Sequence, residues 1–166
     1  ELYRTMTGHI RHEIAHFLFL RLADSADFTS EFRDLFGDER TDYAAALKSH
    51  YDAPKPPGYD HITSYATAHP HEDWAETIAH LLHLVDLIDS AAAAQLSLPD
   101  GLVPGYDAYT DRDTNRIVTR AIEFSIALNH VSRALDLPDI YPFILPDGVR
   151  NKFAFAHAHL MQSTKT

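Results

Sequence analysis

Cysteine is absent from the sequence, which excludes disulfides, thiolate metal ligands and cysteine nucleophiles. No uncharged apolar run reaches the ~18 residues that a membrane span requires. Positive charge is scarce: 14 Lys and Arg stand against 24 Asp and Glu, for a formal charge of −10 with histidine neutral. The basic residues form no cluster, which argues against a nucleic-acid partner and against an anionic membrane surface. Internal repeats, low-complexity tracts and strand-like alternation are also missing, so the expected fold class is all-α.

What is present is an ordinary globular composition with one unusual count. Over 166 residues, 45% are hydrophobic and 23% charged, enough for one domain, 1–166, with a sizeable core. Twelve histidines are the exception. The chain opens at Glu1 with neither an initiator methionine nor a signal-peptide pattern. The expectation is a C-terminal fragment of a longer chain, lacking all or most of an upstream β-sheet, and cytoplasmic for want of an export signal.

Gly8 to Phe17 contains H-E-x-x-H. On a helix, His12 and His16 project from one face with Cβ atoms roughly 5–6 Å apart, close enough for both imidazoles to hold one small cation. Glu13 sits one position round, where its carboxylate can reach a water at the metal without being a ligand. The spacing predicts a helix from Thr7, as N-cap, to about Ala23, with Ile10, Ile14, Phe17, Leu18 and Leu22 as its buried stripe.

Further helices are expected from Thr29–Ser30 to Gly37, and from a Thr41 cap with Tyr43, Ala46, Leu47 and Tyr51 inward. Residues 54–58 (Pro-Lys-Pro-Pro-Gly) break the chain, and a brief helix or turn follows over 62–68. The longest pattern runs from His71 to about Leu96, with Trp74, Ile78, Leu81, Leu82, Val85 and Ile88 on a wide apolar face. A long loop over 97–113 leads to a helix over 114–135, with Ile117, Ala121, Phe124, Ala127, Leu128 and Val131 inward. An extended, proline-punctuated stretch over 137–146 precedes a last helix from Asp147 or Gly148. On it, His157 and His159 read as surface or lightly buried.

A catalytic zinc needs three protein ligands and an open position. Without cysteine, the third must be His, Asp or Glu on a packed neighbour. The best stretch is 69–76, His-Pro-His-Glu-Asp-Trp-Ala-Glu. Glu72 and Glu76 share a helix face, so one can bind metal while the other accepts a hydrogen bond from a ligand histidine. The assignment is Glu72 to the zinc and Glu76 to the histidine, with Asp73, Glu76 and His71 open as alternatives for the third ligand. One Zn2+ per chain is expected.

H-E-x-x-H followed by E-x-x-x-E resembles the glutamate-zincin metallopeptidases. Glu72-Asp73-Trp74-Ala75-Glu76 is similar to the E-F-F-A-E stretch of the anthrax-lethal-factor-like and proline–proline endopeptidases. In those families a tyrosine seven residues before the third ligand stabilises the oxyanion, and Tyr65 stands at that spacing from Glu72. Nearer still is a bacterial family of zinc-binding metallopeptidases, often carrying an N-terminal zinc ribbon that is absent here. GHIRHEIAH, the FGDERTDYAAAL run, SYATAHPHEDWAETIAHLLH and LPDIYPFILP all read like it, over nearly the whole chain. The family often has tryptophan where His71 stands.

The resemblance implies hydrolysis of a peptide or protein substrate, with Glu13 as general base and Tyr65 as oxyanion donor. The rival expectation is a non-catalytic helical module whose metal is structural and whose surface binds a protein partner. A zinc hydrolase of non-peptide amides or esters is a third.

Overall fold

The computed structural model describes residues 5–97, 106–140 and 144–163. Among them the chain is helical, with six α-helices, one 3-10 turn and no strand. The helices are α1 (Met6–Leu22), α2 (Ala26–Phe36), α3 (Tyr43–Asp52), α4 (Pro70–Ala93), α5 (Thr114–Ala134) and α6 (Asp147–Ser163), and the 3-10 turn is Tyr65–Thr67. The all-α expectation therefore holds. Parts of the expected loop over 97–113 and of the extended stretch over 137–146 lie outside the described residues.

α4 is the hub against which α1, α2, α5, α6 and the 3-10 turn pack. It buries Trp74, Ala75, Ile78, Leu81, Leu84, Val85 and Ile88 in the core, and its first turn also buries Glu72 and Asp73. The chain enters it through His69, whose Nδ1 accepts the His71 N–H at 3.1 Å, and Pro70 then occupies the first turn. Proline there removes no hydrogen bond, because the first N–H groups of a helix have no partner within it. α4 ends a little before the expected Leu96, and Gln95 turns the chain away at φ 58°.

Trp74 is the centre of an aromatic cluster. Its ring meets Phe19 of α1, Phe28, Phe32 and Phe36 of α2, and Phe155 of α6, at centroid distances of 5.7 to 6.3 Å. Its indole N–H donates to the Ala15 carbonyl at 2.8 Å, which fixes the register of α1 on α4. Phe28, Phe32 and Phe36 recur every fourth residue and are all buried, so α2 presents one face to the core. α2 begins at Ala26, ahead of the expected Thr29–Ser30, because Ser25 caps it by accepting the Phe28 N–H. Gly37 ends it as expected, at a φ of 95° that a side chain would resist.

Several expectations are corrected. Most of the stripe assigned to the core side of α1 faces outward: Ile10, Ile14 and Phe17 are each about half exposed or more, whereas Leu22 packs half-buried against the core as expected, and the buried residues are Gly8, Ala15 and Phe19. The N-cap is Thr5, whose hydroxyl accepts the Gly8 N–H, not Thr7. Helix α3 buries no residue; Tyr43 and Tyr51 are exposed at 42% and 67%, and Asp42 caps the helix in place of Thr41. On α5, Ile117, Ala121 and Phe124 are buried as expected, but Ala127 and Val131 are exposed. His157, expected near the surface, is buried and hydrogen-bonded with Thr114 Oγ1 at 2.8 Å.

The start of α6 is pressed against the loop that precedes the 3-10 turn. A Cβ placed on Gly148 would lie 2.9 Å from the Tyr59 carbonyl oxygen and 3.1 Å from Asp60 Cα, and neither backbone atom can swing aside. Gly148→Ala is expected to cost about 1–3 kcal/mol through overpacking, read as a lower urea midpoint at unchanged slope.

Candidate metal centre

The face of α1 turned toward α4 carries Arg11, His12, Ala15, His16 and Phe19, and small side chains at Gly8 and Ala15 let the two helices approach closely. That approach places polar groups in partial burial, and each finds a partner on α4. Arg11 pairs with Asp86 and hydrogen-bonds with His83. His12 lies between two carboxylates: Nδ1 is 2.8 Å from Glu76 Oε1, and Nε2 is 3.0 Å from Glu72 Oε2. His16 Nε2 is 3.1 Å from His12 Nε2 and 3.7 Å from Glu72 Oε1.

Those separations test whether a cation fits. Tetrahedral zinc with bonds of roughly 2.0–2.2 Å sets its ligand atoms about 3.3 Å apart; the two imidazole nitrogens are 3.1 Å apart, His12 Nε2 is 3.0 Å from Glu72 Oε2, and His16 Nε2 is 3.7 Å from the other Glu72 oxygen, Oε1. Two imidazole nitrogens converging with a carboxylate oxygen also make a donor set that catalytic zinc sites use. Among the described residues, His12, His16 and Glu72 are the group of three whose ligand atoms converge closely enough to hold a metal ion.

Glu76 is built into the support. Its Oε1 faces His12 Nδ1, and its Oε2 accepts from Thr63 Oγ1 at 2.8 Å. A carboxylate accepting a hydrogen bond from Nδ1–H keeps the proton there and leaves the Nε2 lone pair free to point at a metal. The other two alternatives for the third ligand go elsewhere. Asp73 turns away to Lys152 of α6 at 2.6 Å, and His71 packs edge-on against Phe19 at 4.5 Å. Glu13 stands at the rim, more than half exposed, with His9 Nδ1 3.8 Å away.

The charges agree with this grouping. Burial lowers the affinity of His12 for a proton, but Glu72 and Glu76 outweigh it and raise its pKa to about 9. Burial pushes Glu72 up, while hydrogen bonds from His12 and Tyr43 pull it down to about 2. Burial lowers His16. A carboxylate ionised at every ordinary pH, beside one protonated and one neutral imidazole, is a site where a cation can replace a proton.

Two tyrosines stand beside Glu72, and a third, Tyr51, contacts one of them. Tyr65 sits in the 3-10 turn with its ring 6.0 Å from that of His12, and its side chain hydrogen-bonds with Tyr51. Burial and the charge of Glu72 push the Tyr65 phenol well above its usual range. Tyr43, which the sequence pattern assigned to the core, instead reaches from α3 and donates its hydroxyl proton to Glu72 Oε1. Burial and that hydrogen bond raise its pKa too. Both phenols therefore remain O–H donors. Thr63 is a further residue without a sequence signal, since only the fold brings it to Glu76.

A family model described as "Putative zinc-binding metallo-peptidase" matches residues 1–159. The chain belongs to this family. Its zinc-binding description fits the convergence of His12, His16 and Glu72. Uncharacterized protein Rv2568c of Mycobacterium tuberculosis and Uncharacterized protein Mb2598c of Mycobacterium bovis are similar to it. Each is 44% identical over 160 residues, covering 95% of this chain and 47% of the relative. The chain thus spans about half the length of the curated relatives it matches. No solved structure matches it. Among the described residues, no helix is long and apolar enough to cross a membrane.

Proposed function

We propose that residues 1–166 form one catalytic unit of a zinc-dependent metallopeptidase of glutamate-zincin type, acting on a peptide or protein substrate in the cytoplasm. The observation that carries this reading is the convergence of His12 Nε2, His16 Nε2 and the Glu72 carboxylate, with Glu13 on the exposed side of the same helical turn. In this reading His12, His16 and Glu72 hold one zinc ion, and Glu76 fixes the tautomer and ring angle of His12. Bound zinc supplies Lewis-acid chemistry, acidifying water and polarising a carbonyl.

The chain's own residues do the rest. Glu13 accepts a proton from the attacking water and returns it to the leaving amine. The Tyr65 hydroxyl, kept protonated by its surroundings, donates a hydrogen bond to the oxyanion that develops on the scissile carbonyl, a contact typically worth roughly 3–4 kcal/mol. Its hydrogen bond with Tyr51 holds the phenol beside the site until substrate arrives.

The test is metal content per chain, in the wild type and in Glu72→Ala and Glu76→Ala. About one zinc per wild-type chain is expected, lost with Glu72→Ala and weakened roughly 10–100-fold with Glu76→Ala. Wild-type protein that takes up no zinc when it is offered would sink the reading. A second reading, a non-catalytic metal-binding module for a protein partner, draws on the exposed apolar side chains of Ile10, Ile14 and Phe17 around Glu13. Cleavage of a peptide library by zinc-loaded protein decides between them.

A further inference from the structure

We infer that Tyr43 is a positioning residue of the metal centre, whose hydroxyl occupies Glu72 Oε1 and confines metal ligation by Glu72 to Oε2. The inference rests on the reading of Glu72 as a ligand. A carboxylate can hold a metal through one oxygen or both. In this site the two oxygens differ. Oε2 faces His12 Nε2 at 3.0 Å, whereas Oε1, although 3.7 Å from His16 Nε2, is already engaged by the Tyr43 hydroxyl, from which it accepts a hydrogen bond. An oxygen engaged by a phenol is a weaker donor to a metal, so the hydrogen bond selects its neighbour.

Core packing does not account for this contact. α3 buries no residue, and Tyr43 itself is 42% exposed, yet its hydroxyl ends on a carboxylate that is 1% exposed. The placement comes instead from polar and ring contacts at the starts of two helices. The Tyr43 ring lies edge-on to His69 at 5.1 Å. His69 Nδ1 caps α4, while its Nε2 lies 3.1 Å from Thr41 Oγ1 and 3.2 Å from the Thr41 carbonyl oxygen. Thr41 lies two residues before Tyr43, and His69 three before Glu72. One imidazole thus ties the start of α3 to the first turn of α4, and the phenol is delivered to Glu72 from that tie.

Tyr43→Phe removes the hydroxyl and keeps the ring against His69. Zinc affinity, measured by competition with a chromophoric chelator, is expected to fall roughly 10–100-fold, with the melting temperature of zinc-free protein unchanged. In cobalt(II)-substituted protein the visible ligand-field band should weaken, because freeing Oε1 lets Glu72 bind through both oxygens and raises the coordination number. Wild-type affinity together with a wild-type cobalt band in Tyr43→Phe would overturn the inference. So would a parallel loss of affinity and of zinc-free stability, which is the mark of a merely structural contact.

X-ray absorption on zinc-loaded wild-type protein tests the same point without a variant. Glu72 bound through one oxygen is expected, and a carboxylate bound through both would contradict the assignment. Failure of the wild type to bind zinc would instead remove the reading on which the inference stands. A wild type that binds zinc beside an unaltered variant would remove only Tyr43.

Discussion

Glu13→Gln protein is expected to take up zinc as the wild type does and to lose peptide-bond turnover by roughly 10²–10⁴-fold. The two halves of that expectation come from different parts of the geometry. The Glu13 side chain is 59% exposed, with His9 Nδ1 3.8 Å away, so an amide of the same shape should disturb neither α1 nor the converging ligand atoms. Zinc content and melting temperature should therefore match the wild type. Turnover should not, because an amide cannot take a proton from water at neutral pH. Metal analysis and cleavage of the best library peptide, on the same preparation, give both answers. Undiminished cleavage by clean, zinc-loaded variant would remove Glu13 from the chemistry. It would leave the Tyr65 hydroxyl and the bound metal to account for turnover.

The same helix shows what a sequence does and does not disclose. H-E-x-x-H is a local statement: a spacing of four puts His12 and His16 on one face of any helix, and the structure does place both toward Glu72. E-x-x-x-E at the start of α4 is local in the same way, and Glu72 and Glu76 both reach His12. The buried face of α1 is not local. Its apolar residues are spread round the helix, so a count of hydrophobic spacing favours Ile10, Ile14 and Phe17, which are exposed. The face that packs is the one whose polar groups have partners 60 or more residues away, in Glu72, Glu76, His83 and Asp86.

Tyr43 was misread for a related reason. Aromatic spacing on α3 suggests a core face, but its phenol serves a buried carboxylate 29 positions on. Helix starts were shifted by competing caps of the same chemical kind. Thr5 stands near Thr7, Ser25 near Thr29, and Asp42 beside Thr41, and backbone geometry chooses among them. Thr41 was released from capping because its hydroxyl bonds the Asp38 carbonyl and its backbone carbonyl lies against His69.

Lys152→Met should destabilise the fold increasingly above neutral pH, by about 1.4 kcal/mol for each pH unit above 7, because without the ammonium the buried Asp73 carboxyl must stay protonated. Lys152 Nζ lies 2.6 Å from Asp73 Oδ2 and donates also to the Asp60 carbonyl oxygen at 2.6 Å. The two side chains are 5% and 0% exposed. The other Asp73 oxygen, Oδ1, is buried with no hydrogen-bond partner. Burial dominates there, raising Asp73 from 3.8 to about 7 despite the lysine. The folded protein therefore holds a proton that the unfolded chain releases, so this carboxyl's contribution is complete below about pH 4 and is lost as pH rises through about 7. Taking away the ammonium raises that pKa further and extends the loss to higher pH.

The gap between variant and wild type should accordingly be small at pH 5, where Asp73 is neutral in both, and wide at pH 8. Thermal unfolding at the two pH values measures it, with a difference of about 3–5 °C expected at the higher one. Adding Asp73→Asn to Lys152→Met should flatten the pH dependence, since the group that must ionise is gone. An equal loss at both pH values would mean that Lys152 acts through its contact with the Asp60 carbonyl and its packing over Phe36, with its ring centroid 5.2 Å away. Because Asp73 follows Glu72 on the first turn of α4, the outcome also measures how firmly α6 holds the helix end that carries the carboxylate facing His12.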